Sequence, residues 1–310
     1  MVEFKEIASD LRFPEGPIAL PDGDIILVEI EAGLLTKVSP NGTKTAIAEP
    51  GGGPNGAAIG PDGRCYICNN GGMPFFEKEN LLLPSLSTQD IPHGWIEAID
   101  LKTGAIEILY THCDGNPLIG PNDIVFDSEG GFWFTDHGHT RRRDRDRGGV
   151  YYATIDGASI NEVIFPMDGP NGIGLSPNGQ VLYVAETPSG RLWSFEIEKP
   201  GKITRRRGPV PWEKGELIGC PAGYHLFDSL AIDRAGNICV GSIPGTIEVF
   251  SPEGRHLNSI KLPDTFPTNI CFGGPDLKTA YVTLSSTGKL VALEWCEGGS
   301  PLNFLNCRDK

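Results

Sequence analysis

Phe13-Pro14-Glu15-Gly16-Pro17-Ile18-Ala19-Leu20-Pro21-Asp22-Gly23-Asp24-Ile25-Ile26-Leu27-Val28 is the stretch on which the reading of the chain turns. Two apolar runs flank Asp22-Gly23, and an Asp-Gly pair in that setting is a strong short-range hairpin signal. The phrase recurs. Further copies begin at Pro54-Asn55-Gly56, Pro121-Asn122-Asp123, Pro170-Asn171-Gly172, Phe227-Asp228-Ser229 and Pro267-Thr268-Asn269. Each is followed by an apolar strand, a turn such as Pro61-Asp62-Gly63 or Pro177-Asn178-Gly179, and a second apolar strand. More strand pairs lie between the copies, for instance Gly94–Asp100 and Ala105–Tyr110 around Thr103-Gly104. Each unit therefore holds about four strands in roughly 40 to 65 residues, the period of a propeller blade.

The expected fold is all-β, a six-bladed β-propeller with four-stranded blades and a central metal site. It forms a single domain over residues 1–310, with hairpins starting near 14, 54, 121, 170, 227 and 267. One blade cannot bury both faces of its sheet, whereas a closed ring buries them all. Closure predicts that the strand-like Glu3–Ala8 shares the last blade with Lys289–Trp295. Six in-phase copies without a shift in composition argue against a plain β-sandwich. The helical period is nearly absent, and only Glu77–Leu83 offers a helical turn or two before Pro84 stops it. Two inserts, 71–93 and 205–226, interrupt the rhythm and are expected near one face of the ring, as lids.

The bulk composition excludes several classes. The net charge of −14 disfavours nucleic acid. No apolar run approaches the roughly 20 residues that span a bilayer, so no membrane partner is expected. The first residues lack the basic and apolar segments of a secretory signal, which points to a cytoplasmic protein. Eight cysteines are too few for a disulfide scaffold and are expected as free thiols. Cys65 and Cys68 lie three apart in a strand pattern, so they point to opposite faces and read as core. The run Thr140–Arg147 interleaves Arg with Asp and reads as a solvated loop. No Gly-x-Ser-x-Gly elbow and no phosphate loop are present.

Aligned on the residue that precedes each inner strand, the copies give Glu15, Asn55, Asn122, Asn171, Asp228 and Thr268. In a propeller these positions face one end of the central channel. Turn propensity explains Asn or Asp at any one of them, but not Glu15, nor oxygen-bearing side chains at all six. Carboxylate and amide oxygens suit a hard divalent cation. His137, after the third hairpin, and His225, just before Asp228, are candidate bases, and Asp136 is a candidate orienting group.

The phrases Pro14-Glu15-Gly16-Pro17, Asn122-Asp123, Asn171-Gly172 and Asp228-Ser229 on six blades resemble the SMP-30/gluconolactonase family. The resemblance covers nearly the whole chain. It implies one central divalent metal, usually calcium and in some members zinc, manganese or iron(II). The implied ligands are Glu15, Asn171 and Asp228, with Asn122 on the metal or on nearby substrate or water. It also implies hydrolysis of sugar lactones, with the phosphotriesterase diisopropyl fluorophosphatase as a relative of the same architecture. The expected catalytic residues are then Asp228, His137 and His225, and the substrate contacts Asn55, Asn122 and Asp136. The expected partner is a small-molecule lactone, with room for self-association into a homo-oligomer. A phosphotriesterase-like hydrolase and a non-catalytic binding propeller are the alternatives. The family's sugar-holding Arg near the second blade has no secure match, and Asp228 is followed by Ser229 where the family often has Gly.

Overall fold

The computed structural model describes residues 3–87, 91–204 and 215–307. Six antiparallel sheets are arranged as the blades of a propeller. Blade one holds Pro14–Ala19, Ile25–Glu29, Leu34–Val38 and Lys44–Ala48, numbered outward from the axis. Blade two holds Pro54–Ile59, Cys65–Asn69, Trp95–Ile99 and Ile106–Tyr110, and blade three Pro121–Phe126, Phe132–Asp136, Gly148–Ala153 and Ile160–Met167. Blade four holds Pro170–Leu175, Val181–Glu186 and Arg191–Lys199, whose outer edge pairs with both Lys202–Ile203 and Glu216–Gly219. Blade five holds Leu226–Ile232, Ile238–Ile243, Thr246–Phe250 and His256–Lys261. Blade six holds Pro267–Gly273, Thr279–Leu284 and Lys289–Glu294, completed by Phe4–Ala8 from the other end of the chain. The terminal strands share a blade as the closure argument requires.

The core lies between blades. Each of six apolar clusters joins one blade to the next. Ile18, Ile26 and Val28 meet Ile59, Cys65 and Ile67, and the last cluster returns from Cys271 and Leu290 to Ile25 and Leu27. Cys65 and Cys68 are buried free thiols on opposite faces of blade two.

A bulge interrupts the pairing of every inner strand at its start, between Glu15 and Ile18 in blade one and at the matching place in the others. The extra residue re-aims the side chains there. It also brings neighbouring inner strands close: a Cβ on Gly56 would lie 2.4 Å from the Asn122 carbonyl oxygen. Glycine at this place lets the ring tighten about its axis.

The helical turn expected over Glu77–Leu83 is a hairpin instead, Phe75–Lys78 paired with Leu81–Pro84. Glu79 and Asn80 both take positive φ, 54° and 64°, as a two-residue hairpin turn requires. Period-2 packing decides the matter. Leu82 docks with Phe13 and Ile30, beside Phe75 and Phe266, so the insert from blade two reaches across to blades one and six. Its return limb meets blade three, where Ser87 N–H donates to Thr140 O at 2.9 Å. Part of the second insert, 205–214, falls outside the described residues; its end, Gly219 to Leu226, runs along the same face. In the Arg-Asp loop, Arg141 pairs with Asp144 and, bidentately at 2.8 Å, with Asp146, while Arg145 meets Asp168.

Candidate functional site

The start of every inner strand faces the same end of the channel, so the aligned positions come together there. Glu15, Asn55, Asn122 and Asn171 are buried, and Asp228 is half-buried. Glu15 is held on one side only. Its Oε2 accepts from its neighbour Gly16 N–H and from Asn269 Nδ2, both at 2.8 Å, with the Thr268 hydroxyl also in reach. Asn171 donates from Nδ2 to Thr187 Oγ1 at 3.1 Å, which turns its Oδ1 toward Ser229. The Oδ1 of Asn122 is buried without a hydrogen-bond partner.

The sixth position differs from the alignment. Thr268 is buried and its hydroxyl is tied to Thr283 and Ser285. The bulge in blade six starts at Pro267, as its siblings start at Pro54, Pro121, Pro170 and Phe227, and pairing resumes one residue sooner, at Asn269 with Thr283. Asn269 donates to Glu15.

A second tier, formed by the residue after each aligned position, was not foreseen. It is glycine at Gly16, Gly56 and Gly172, and polar at Asp123, Ser229 and Asn269. Asp123 accepts from Ile124 N–H at 2.9 Å and from Ile173 N–H of the next blade at 3.2 Å. The repeats carry a signal for this tier, since only small or hydrogen-bonding residues occupy it.

Electrostatics single out the carboxylates. Burial, then the charge of Glu15, lifts Asp123 to about 7. The same two causes raise Asp228 well above the ordinary carboxylate range. Burial also raises Glu15 against its hydrogen bonds. Among the described residues no ion pair reaches any of the three. Three acids without a counter-charge, and an amide oxygen without a donor, match what a hard divalent cation requires. Among the described residues no three His, Cys, Asp or Glu side chains are grouped to hold a metal. The oxygens gathered there are carboxylate and amide oxygens.

Asp136 occupies a different belt. Its carboxylate accepts from Ile119, Gly120 and Gly138 N–H at 2.7, 2.8 and 2.9 Å. Glu29, Asn69 and Glu186 stand at the same position of their blades and bind Arg12, Gly53 and Asp168 N–H at 2.7, 2.8 and 2.8 Å. These side chains clamp the loop before each inner strand. Asp136 thus engages both carboxylate oxygens with backbone donors. Ser242 is the blade-five counterpart, and it bonds His225 Nδ1 at 2.9 Å. His137 donates Nδ1–H to Gly138 O at 3.0 Å, which leaves Nε2 unprotonated, and burial lowers its pKa. Both histidines sit on loops at the ring end of the channel, anchored through Nδ1.

The sequence matches the SMP-30/Gluconolactonase/LRE-like region over residues 13–286. The chain belongs to that family. Relatives within reach include the gluconolactonase of Zymomonas mobilis, 26% identical over 302 residues that cover 90% of this chain and 78% of that protein. The diisopropyl-fluorophosphatase of Loligo vulgaris is 29% identical over 317 residues, 96% of this chain and 93% of that protein. Among solved structures, the calcium-binding protein regucalcin from Agrobacterium tumefaciens superposes with a TM-score of 0.73 at 20% identity, covering 94% of each chain. That likeness bears on the fold. Within this SMP-30/gluconolactonase chain, no helix of the described residues is long and apolar enough to cross a membrane.

Proposed function

We propose that this chain is a lactone hydrolase in which Glu15, Asn122, Asn171 and Asp228 hold one divalent cation, calcium fitting best. The observation that carries the reading is the uncompensated carboxylate and amide cluster at one end of the channel, with Asn122 Oδ1 unpartnered. It is supported by relatives named gluconolactonase and lactonase. A bound calcium supplies Lewis acidity, drawing charge from the substrate carbonyl and from the oxyanion that follows.

The chain's own groups do the rest. Asn269 and Gly16 N–H fix the Glu15 carboxylate, and Thr187 fixes the Asn171 amide. Asp228 is the most solvent-accessible of the three acids. It takes the proton of a water attacking the lactone carbonyl carbon. The carbon–ring-oxygen bond then breaks, and Asp228 returns the proton to the departing oxygen. His137 Nε2 and His225 are the alternative bases. Asn55 and Asn122, at the same level of the ring, are positioned to contact the substrate.

A phosphotriester substrate is a second reading. It is favoured by the fluorophosphatase relative, which matches 96% of this chain. The test is a panel of sugar lactones, alkyl lactones and a dialkyl fluorophosphate, assayed with calcium and with chelator. Turnover of a lactone that chelator removes and calcium restores is expected. Glu15→Gln and Asp228→Asn should each lose it while retaining the circular dichroism of the parent. Full activity in either variant would reject the site, and fluorophosphate turnover alone would replace the lactone reading by the second.

A further inference from the structure

The end of the channel away from the ring is covered by the chain's own C-terminal segment. After Trp295 the chain turns under blade six. Gly299 lies so close to the inner strand that a Cβ there would sit 2.2 Å from Phe272 Cβ, so only glycine admits the approach. Gly299 N–H donates to Leu277 O at 2.8 Å and Ser300 N–H to Ile232 O of blade five at 2.9 Å. The chain then reaches the opposite side. Asn303 Nδ2 donates to Phe126 O of blade three at 3.0 Å, and the Phe304 ring stands edge-on to Phe126 at 6.0 Å. Leu305 is buried against Ile18 and Ile59 of blades one and two. In a ring of six, blade three faces blade six and blade two faces blade five. A segment bonded to both halves must cross the mouth.

Between this segment and the second tier lies a cavity of about 310 Å³. Its upper wall carries Gly16, Asp123 and Asn269, its lower wall Ser300 and Asn303, and Ala231 lies between. We propose that residues 299–305 are a plug that narrows the rear mouth of the channel, leaving the cavity open on that face only beside the exposed turn residues Ser128, Pro177 and Asn178. Without the plug the rear mouth is open across its width. With it, solvent and small molecules reach the cavity past the turns of blades three and four. The plug also ties opposite blades directly, independently of the strand exchange at Phe4–Ala8.

Accessibility of a reporter thiol tests this without reference to activity. Ala231→Cys places a small thiol in the cavity wall, at a half-buried position. The exposed Cys220, Cys296 and Cys307 are replaced by Ser. Maleimide labelling of Ala231→Cys is compared, by peptide mass, in the full chain and in a chain ending at Gly298. Labelling about tenfold faster in the shortened chain is expected. The buried Cys65, Cys68, Cys113 and Cys239, which do not line the cavity, stay unlabelled in both, and Cys271, which does line it, is read separately by its own peptide mass. An equal rate in the two chains overturns the proposal, as does a rise shared by the four cysteines away from the cavity, which would report general loosening. Asn303→Ala with Leu305→Ala in the full-length chain is the second variant, for the case in which the shortened chain does not fold. The same selective rise is expected, and its absence in a folded protein also overturns the proposal.

Discussion

Chelation should yield a protein whose stability falls as pH rises from 5 to 7, and calcium should cancel the fall. The perturbation acts on three acids that share the channel. In the cation-free chain, burial and then the Glu15 charge bring Asp123 from its ordinary 3.8 to about 7. Between those values the folded state keeps a proton that the unfolded chain has released. Stability then declines by at most about 1.36 kcal/mol per pH unit and levels off above the folded value. From 3.8 to about 7 is about 3 units, so Asp123 alone costs about 4 kcal/mol by neutral pH. Glu15 and Asp228 shift in the same direction and add to it. Two of those units fall between pH 5 and 7, about 2.7 kcal/mol; with an unfolding entropy of about 0.65 kcal/mol/K for 310 residues, Tm should drop by about 4 °C across that window. Surface acids held low by arginine, such as Glu31 by Arg12 and Asp146 by Arg141, have the opposite sign and lose their contribution at acid pH. The quantity to follow is therefore the difference in Tm between calcium and chelator at each pH, in which the surface terms cancel. Calcium binds the ionised channel, so its stabilisation should grow from pH 5 to 7.5. A difference that is flat, or larger at pH 5, would refute the reasoning that these acids lack a counter-charge.

Three further outcomes follow from the belts and the insert. Asp136→Asn leaves one acceptor oxygen for three backbone N–H groups, and should cost about 1–3 kcal/mol in urea unfolding with calcium affinity unchanged by titration calorimetry. Gly56→Ala puts a methyl 2.4 Å from Asn122 O and 2.5 Å from Asp123 Cα, both backbone atoms of the next blade. A loss of about 3 kcal/mol, seen as a lower urea midpoint or insoluble protein, is expected. Leu82→Ala removes the centre of the contact with Phe13 and Ile30. It should weaken docking of the hairpin by about 2–3 kcal/mol, read as faster proteolysis within residues 71–87 with Tm nearly unchanged.

The sequence by itself determined the blade, its six copies and the closing strand, because a period-2 apolar pattern and an Asp-Gly turn act over a few residues. It also placed Glu15, Asn55, Asn122, Asn171 and Asp228 at one end of the channel, since equal positions in equal blades face the same way. Tertiary structure decided the rest. Ring closure brought Asn269 of blade six beside Glu15, a partner 254 residues away, while Thr283 and Ser285 tied down the Thr268 hydroxyl. Backbone donors from two loops claimed Asp136. Docking onto Phe13 made a hairpin of a stretch with helical spacing. Residues 299–305, featureless as a pattern, found their place only where the closed ring offered a mouth to cross. Each outcome depends on groups brought together by ring closure, and such distances leave no trace in local spacing.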